Sequence, residues 1–64
     1  MPTVNPGRLK ELRERRVLTQ SELAEKAGVR SATVTDIETG KHRPRPSTIR
    51  KLAKALSVGP EELF

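Results

Sequence analysis

Cysteine is absent from the chain, which excludes a disulfide framework, a thiolate metal site and a cysteine nucleophile. Tryptophan and tyrosine are absent too, and Phe64 is the single aromatic. With so few bulky rings and 33% apolar residues, the chain cannot fill a β-sandwich or enclose a ligand in a barrel, but it has enough Leu, Ile, Val and Ala for a few helices in contact. No apolar stretch approaches the ~20 residues needed to span a bilayer. No secretory leader is visible, so a cytoplasmic setting is expected.

What the 64 residues do carry is positive charge, a formal +5. Residues 41–54 hold Lys41, Arg43, Arg45, Arg50, Lys51 and Lys54 with no acid among them. Residues 8–16 hold Arg8, Lys10, Arg13, Arg15 and Arg16 against Glu11 and Glu14. Between these flanks, Glu22, Glu25, Asp36 and Glu38 outnumber Lys26 and Arg30. A basic domain this small, charged in two flanks about a nearly neutral middle, points to a polyanionic partner rather than to a surface tuned for solubility.

One domain is the upper limit, because a chain of this length buries only about 60% of the surface its unfolded state exposes. Residues 1–5 show no pattern and are expected to form a flexible N-terminal tail, with the folded domain spanning 6–64. Asn5 before Pro6 is a helix-start signal, since proline's missing N–H is harmless in the first turn. Leu9 and Leu12 mark one face of a first helix over about residues 6–16. Val17 and Leu18 begin no new period and read as a buried connector. Thr19-Gln20-Ser21-Glu22 is a capping box opening a second helix, with Leu23, Ala24 and Ala27 inward. Gly28 ends it, and only Val29 and Arg30 precede a third helical run that carries Val34 and Ile37 and closes at Gly40. Two short helices joined by a glycine-centred turn are the most specific signal in the chain.

Lys41-His42-Arg43-Pro44-Arg45-Pro46 cannot be helical throughout, because each proline drives its predecessor to extended geometry. It reads as an ordered basic loop. A fourth helix starts near Pro46–Thr48, capped by Arg45 or Ser47, with Ile49, Leu52, Ala53 and Leu56 inward. Gly59-Pro60-Glu61-Glu62 reads as a fifth start, after which Leu63 and Phe64 close the core.

Residues 18–29, then 34–41, then 52–56 closely resemble the Cro and phage-repressor type of helix-turn-helix domain, the xenobiotic response element family. The resemblance runs from about Arg8 to the end without a gap. It implies an all-α, lambda-repressor-like fold of five short helices, with the helix-turn-helix at helices two and three. It also implies sequence-specific binding of double-stranded DNA, as a bacterial or phage-encoded transcriptional regulator of the repressor type, and a homodimer on a palindromic site with half-sites ~34 Å apart. Carried over position by position, it assigns Ser31, Ala32, Asp36 and Thr35 to base edges. Ala32 can touch a thymine methyl and Asp36 can accept from cytosine. Gln20, Arg30, Thr33, Lys41, Arg43 and Arg45 fall to phosphates, with Thr33 and Thr35 as backbone or mixed contacts. Arg13 and Glu38 are implied as a partly buried structural ion pair joining helices one and three. Two positions depart from the family pattern. Arg30 stands where Ser or Thr commonly caps helix three, and Asp36 stands where longer neutral or basic side chains are common.

Other functions fit less well. His42 is the only histidine and has no partners at metal-ligand spacing, so it reads as a solvated or phosphate-touching loop residue. The 8 carboxylates mostly fit helix starts and exposed salt-bridge faces, and a helical core of this size leaves no pocket. No enzymatic activity, cofactor, metal or small-molecule substrate is therefore expected. The alternative within the fold is an antitoxin-like or coactivator-like protein-interaction module, which extra exposed apolar residues would favour. A membrane-surface role fits poorly with the interleaved glutamates and the missing aromatic face.

Overall fold

Asn5 opens the first helix of the computed structural model, which describes residues 4–64. Its side-chain oxygen accepts the Arg8 N–H at 3.2 Å, and Pro6 occupies the first turn of α1, Pro6–Arg15. Helix α2, Gln20–Ala27, begins with both halves of the capping box. The Thr19 hydroxyl accepts the Glu22 N–H at 3.0 Å, and the Glu22 carboxylate accepts the Thr19 N–H at 2.8 Å. Helix α3, Ser31–Glu38, and helix α4, Pro46–Ala55, start from Arg30 and Arg45, and neither has a side-chain cap. The choice left open for α4 between Arg45 and Ser47 thus falls on Arg45. Among the described residues everything regular is helical. The expected fifth helix is a single 3-10 turn, Pro60–Leu63, because its bonds close from Glu62 N–H to Gly59 and from Phe64 N–H to Glu61, three residues back rather than four.

All four α-helices end in the same way. Two or three residues past each helix an N–H bonds back to the carbonyl five residues earlier: Leu18 to Arg13, Val29 to Ala24, Lys41 to Asp36 and Val58 to Ala53. This is the Schellman termination, and it places the intervening residue in left-handed backbone. Gly28 (φ 74) and Gly40 (φ 77) occupy two of those positions, whereas Val17 (φ 56) and Ser57 (φ 58) occupy the others. At three of the four ends the residue after the left-handed one is apolar, and Leu18, Val29 and Val58 pack against the core. At the end of α3 that residue is Lys41, so the chain leaves the core and enters the basic loop.

Between the helices lies one core. Leu9, Leu23, Val34, Ile37, Leu52, Leu56 and Leu63 are fully buried, each large side chain stabilising the fold by about 1.5–3 kcal/mol through lost apolar surface. Ala24 is buried on α2, which packs against both α3 and α4, and a side chain this small suits close helix contacts. Helix α4 packs against both α2 and the 3-10 turn, so its buried arc widens to include Ala55 beside Ile49, Leu52, Ala53 and Leu56.

Four expectations need correction. Val17 is not part of a buried connector: the left-handed turn points it outward, 86% exposed. The first helix ends one residue earlier than expected, at Arg15. Phe64 does not close the core, since Leu63 fills that place and Phe64 stays 43% exposed. Val4 and Asn5 belong to the folded unit, while the expectation for residues 1–3 lies outside the described residues. The Asn5 N–H donates to the Leu63 carbonyl at 2.8 Å, and this bond draws Val4 into the core at 6% exposure. Arg8 reinforces the same junction, donating to the Glu62 carbonyl at 3.0 Å and to its carboxylate at 2.7 Å. Among the described residues, no helix is long and apolar enough to cross a membrane.

Candidate nucleic-acid interface

Helix α3 turns Val34 and Ile37 inward, has Glu38 held by other helices, and leaves the side opposite the apolar pair open. Successive helical residues advance by about 100°, so the side opposite Val34 and Ile37 carries Ala32 and Thr39 at its centre, with Thr35 and Asp36 at its two edges. Ala32 and Thr39 are exposed, and Asp36 and Thr35 are half-buried. Ser31 is exposed at the first turn. Thr39 shares this face although it is not among the residues that the family resemblance assigns to DNA. Helical geometry alone, extended one residue, places it there. Its hydroxyl donates to the Thr35 carbonyl at 2.9 Å, which tightens the last turn.

The anchor of α3 is polar as well as apolar. The Arg13 guanidinium donates to both carboxylate oxygens of Glu38, at 2.7 Å and 3.1 Å, and to the Leu18 carbonyl at 2.8 Å. The two side chains are 11% and 3% exposed, so the pair joining α1 to α3 is largely withdrawn from water. The bonds to Glu38 push the Arg13 pKa up, against a smaller opposing effect of burial. A pair of this kind is poor evidence of net stability, because desolvation offsets most of its attraction; its clearer effect is to fix the register between two helices. Gln20 joins it: its amide donates to Glu38 at 3.1 Å, and its carbonyl oxygen accepts the Thr35 hydroxyl at 2.8 Å. The Gln20 carboxamide is thus tied down inside the protein, with one N–H of its two left for an outside acceptor.

Five of the six residues expected at phosphates separate into two groups. Arg30, Thr33 and Arg45 line one open cleft of about 600 Å³, with His42 and Thr48, where the starts of α3 and α4 come together. Two uncapped helix starts and two arginines at one cleft make a strongly positive recess. Lys41 and Arg43 lie around a second cleft of about 370 Å³, bounded by Val4 and Pro6 at the start of α1. Gln20 lies with neither group. Among the described residues, no salt bridge engages Arg30, Lys41, Arg43 or Arg45, while Arg8, Arg13 and Arg15 are all paired. Asp36 makes no ion pair with Arg30 or with any other described residue.

Two short helices across a glycine turn, the second anchored beneath and free above, are the arrangement of a helix-turn-helix, and residues 9–63 match the helix-turn-helix family HTH_3. The chain belongs to that family. The helix-turn-helix regulator RghRB of Bacillus subtilis, described as uncharacterized, is 49% identical over 57 residues, which is 88% of this chain and 41% of that protein. The transcriptional repressor RghR of the same organism is 47% identical over 57 residues, covering 88% of this chain and 42% of its own. The chain therefore spans about two fifths of the length of these two relatives. Among solved structures, the restriction-modification controller protein C.AhdI of Aeromonas hydrophila superposes with a TM-score of 0.90 at 39% identity, covering 92% of this chain and 89% of its own. SinR of Bacillus subtilis, a master regulator for biofilm formation solved in complex with DNA, superposes with a TM-score of 0.89 at 31% identity, covering 94% of this chain and 100% of its own. In this helix-turn-helix member, α2 and α3 are the paired helices, and the all-α, lambda-repressor-like architecture implied by the motif resemblance is the one observed.

Proposed function

We propose that this helix-turn-helix domain binds double-stranded DNA sequence-specifically, laying α3 in the major groove, as the DNA-binding unit of a repressor-like transcriptional regulator. The observation that carries the reading is the free side of α3. Ala32, Asp36 and Thr35 stand outward, short enough to admit the helix to a groove ~12 Å wide, while Val34 and Ile37 hold it from below. The unpaired Arg30, Lys41, Arg43 and Arg45 flank that side and supply counter-charge to the phosphates. The name of RghR as a repressor and the DNA complex of SinR support the reading from outside the chain.

In this account Ser31, Ala32, Thr35 and Asp36 face base edges, and Arg30, Thr33 and Arg45 clamp one phosphate region from the cleft between α3 and α4. Lys41 and Arg43 reach a second, and the free N–H of Gln20 reaches a third. One copy covers about half a site, so two copies bind a palindrome with half-sites ~34 Å apart. That role puts the chain with DNA; a bacterial nucleoid or phage-encoded setting in the cytoplasm is the one that the Bacillus relatives and the Bacillus phage phi105 immunity repressor support.

The test is a titration of the isotopically labelled chain with duplex DNA. Amide signals of residues 20, 31–36 and 41–45 are expected to shift, whereas shifts confined to residues 60–64 would replace this reading with a protein-binding one.

A further inference from the structure

The hydrogen-bonding polarity of the α3 reading side is set from inside the protein. Both oxygens of the Glu38 carboxylate accept from the Arg13 guanidinium, at 2.7 Å and 3.1 Å, and a carboxylate has no proton to donate. Glu38 therefore fixes the orientation of the Gln20 amide: the NH₂ end lies 3.1 Å from Glu38, and the reversed amide would set two acceptors against each other at that distance. The Gln20 carbonyl oxygen is thus turned to Thr35, and the Thr35 hydroxyl donates to it at 2.8 Å. The other neighbour of that hydroxyl, the Ser31 carbonyl at 3.2 Å, is an acceptor as well. A hydroxyl has one proton, and either choice directs it into the protein. What Thr35 offers to the outside is a lone pair.

We propose that the Arg13–Glu38–Gln20 relay makes Thr35 an acceptor-only group, so that at its position α3 reads the exocyclic amino group of cytosine or adenine and not the acceptors of a purine edge. Asp36, also acceptor-only as a carboxylate, extends the same polarity one residue further, and Ala32 adds an apolar surface suited to a thymine methyl. In the major groove the donors are the N4 amino group of cytosine and the N6 amino group of adenine, whereas N7, O6 and O4 accept. Gln20 and Glu38 act as positioning residues, determining what is read without touching a base. The inference rests on the major-groove reading above and specifies which base atoms α3 recognises at Thr35.

The experiment starts from a duplex selected from a random pool by the unaltered chain. Each adenine in the selected half-site is replaced by purine, each cytosine by its analogue without the 4-amino group, and each purine separately by its 7-deaza form. At one position, deletion of the amino group is expected to weaken binding by the unaltered chain roughly five- to tenfold, while 7-deaza substitution there changes affinity by less than about twofold. Thr35→Ser keeps the hydroxyl and should keep that amino dependence; Thr35→Val removes the lone pairs and should lose it. Gln20→Met removes the shorter of the two Thr35 bonds, leaving only the Ser31 carbonyl at 3.2 Å for a purine acceptor to outcompete, and removes a phosphate contact as well. It should weaken all duplexes alike and, beyond that, shrink the affinity ratio between the selected duplex and its amino-deleted form. The proposal is overturned if no amino deletion matters, if Thr35→Val shows the same amino dependence as the unaltered chain, or if 7-deaza substitution is the damaging change. A chain that ignores every duplex at low salt would overturn it together with the DNA-binding reading beneath it.

Discussion

Val17 is the residue most at odds with its backbone. A β-branched side chain in left-handed conformation is disfavoured by roughly 1–2 kcal/mol, and Val17, pointing into solvent, recovers almost none of that by packing. Glycine has no such penalty but loses more chain entropy on folding, so Val17→Gly is expected to stabilise the domain by about 0.5–1 kcal/mol. Thermal melting checks this, and an unchanged or lower Tm would show that the α1–α2 turn is unstrained. Glu22 makes a second prediction at the same scale. The Thr19 backbone N–H, and then its hydroxyl, hold the Glu22 carboxyl below its ordinary 4.5. A depressed acid contributes stability above its unfolded value, and that contribution is lost as pH falls through the lower folded value. Glu22→Gln should therefore melt close to the unaltered chain at about pH 3 and below it at about pH 6. A gap of constant size across that window would remove the carboxylate from the capping argument.

At the scale of elements, α3 is the helix with the weakest local support. It has eight residues, no side-chain cap at its start, no acid in its first turn and no base in its last. Its position comes from Val34 and Ile37 below and from Glu38, which Arg13 and Gln20 grip from two other helices. Arg30→Ser supplies the missing cap and should raise stability by about 1 kcal/mol, while removing a cation from the cleft shared with Arg45. Higher Tm together with weaker duplex binding is the expected pair of results, and weaker binding with no gain in Tm would mean that α3 needs no cap. The borders of α1 and α4 show why local patterns run short. Gly28 and Gly40 advertise the ends of α2 and α3, but α1 and α4 end in the same hydrogen-bonding motif with Val17 and Ser57, residues that carry no such signal. The Arg13–Glu38 pair was legible only through family resemblance, and the Gln20–Thr35 bond was not legible at all, since it joins residues on two helices whose relative rotation no local pattern specifies.

For the whole molecule, the decisive quantity is where the net charge of +5 sits. Salt bridges engage the cations of α1 at Arg8, Arg13 and Arg15, which leaves the acid-free stretch 41–54, the loop before α4 and α4 itself, as the concentrated unpaired charge among the described residues. Arg43→Ala with Arg45→Ala is expected to flatten the dependence of log K on log salt by roughly 0.9 for each phosphate contact removed, equally for preferred and unrelated duplexes. A loss confined to one sequence would move these arginines from phosphates to bases. The order of helices, the glycine turn, most of the core and the basic loop were determined by the sequence itself, because capping, periodicity and charge are properties of neighbours along the chain. Only the tertiary structure decided that Val4 is core and Val17 is surface, that Arg30 and Arg45 share one cleft while Lys41 and Arg43 line another, and that Gln20 faces Thr35. Each of those depends on how helices distant in sequence are rotated against one another, and burial of the shared core sets that rotation.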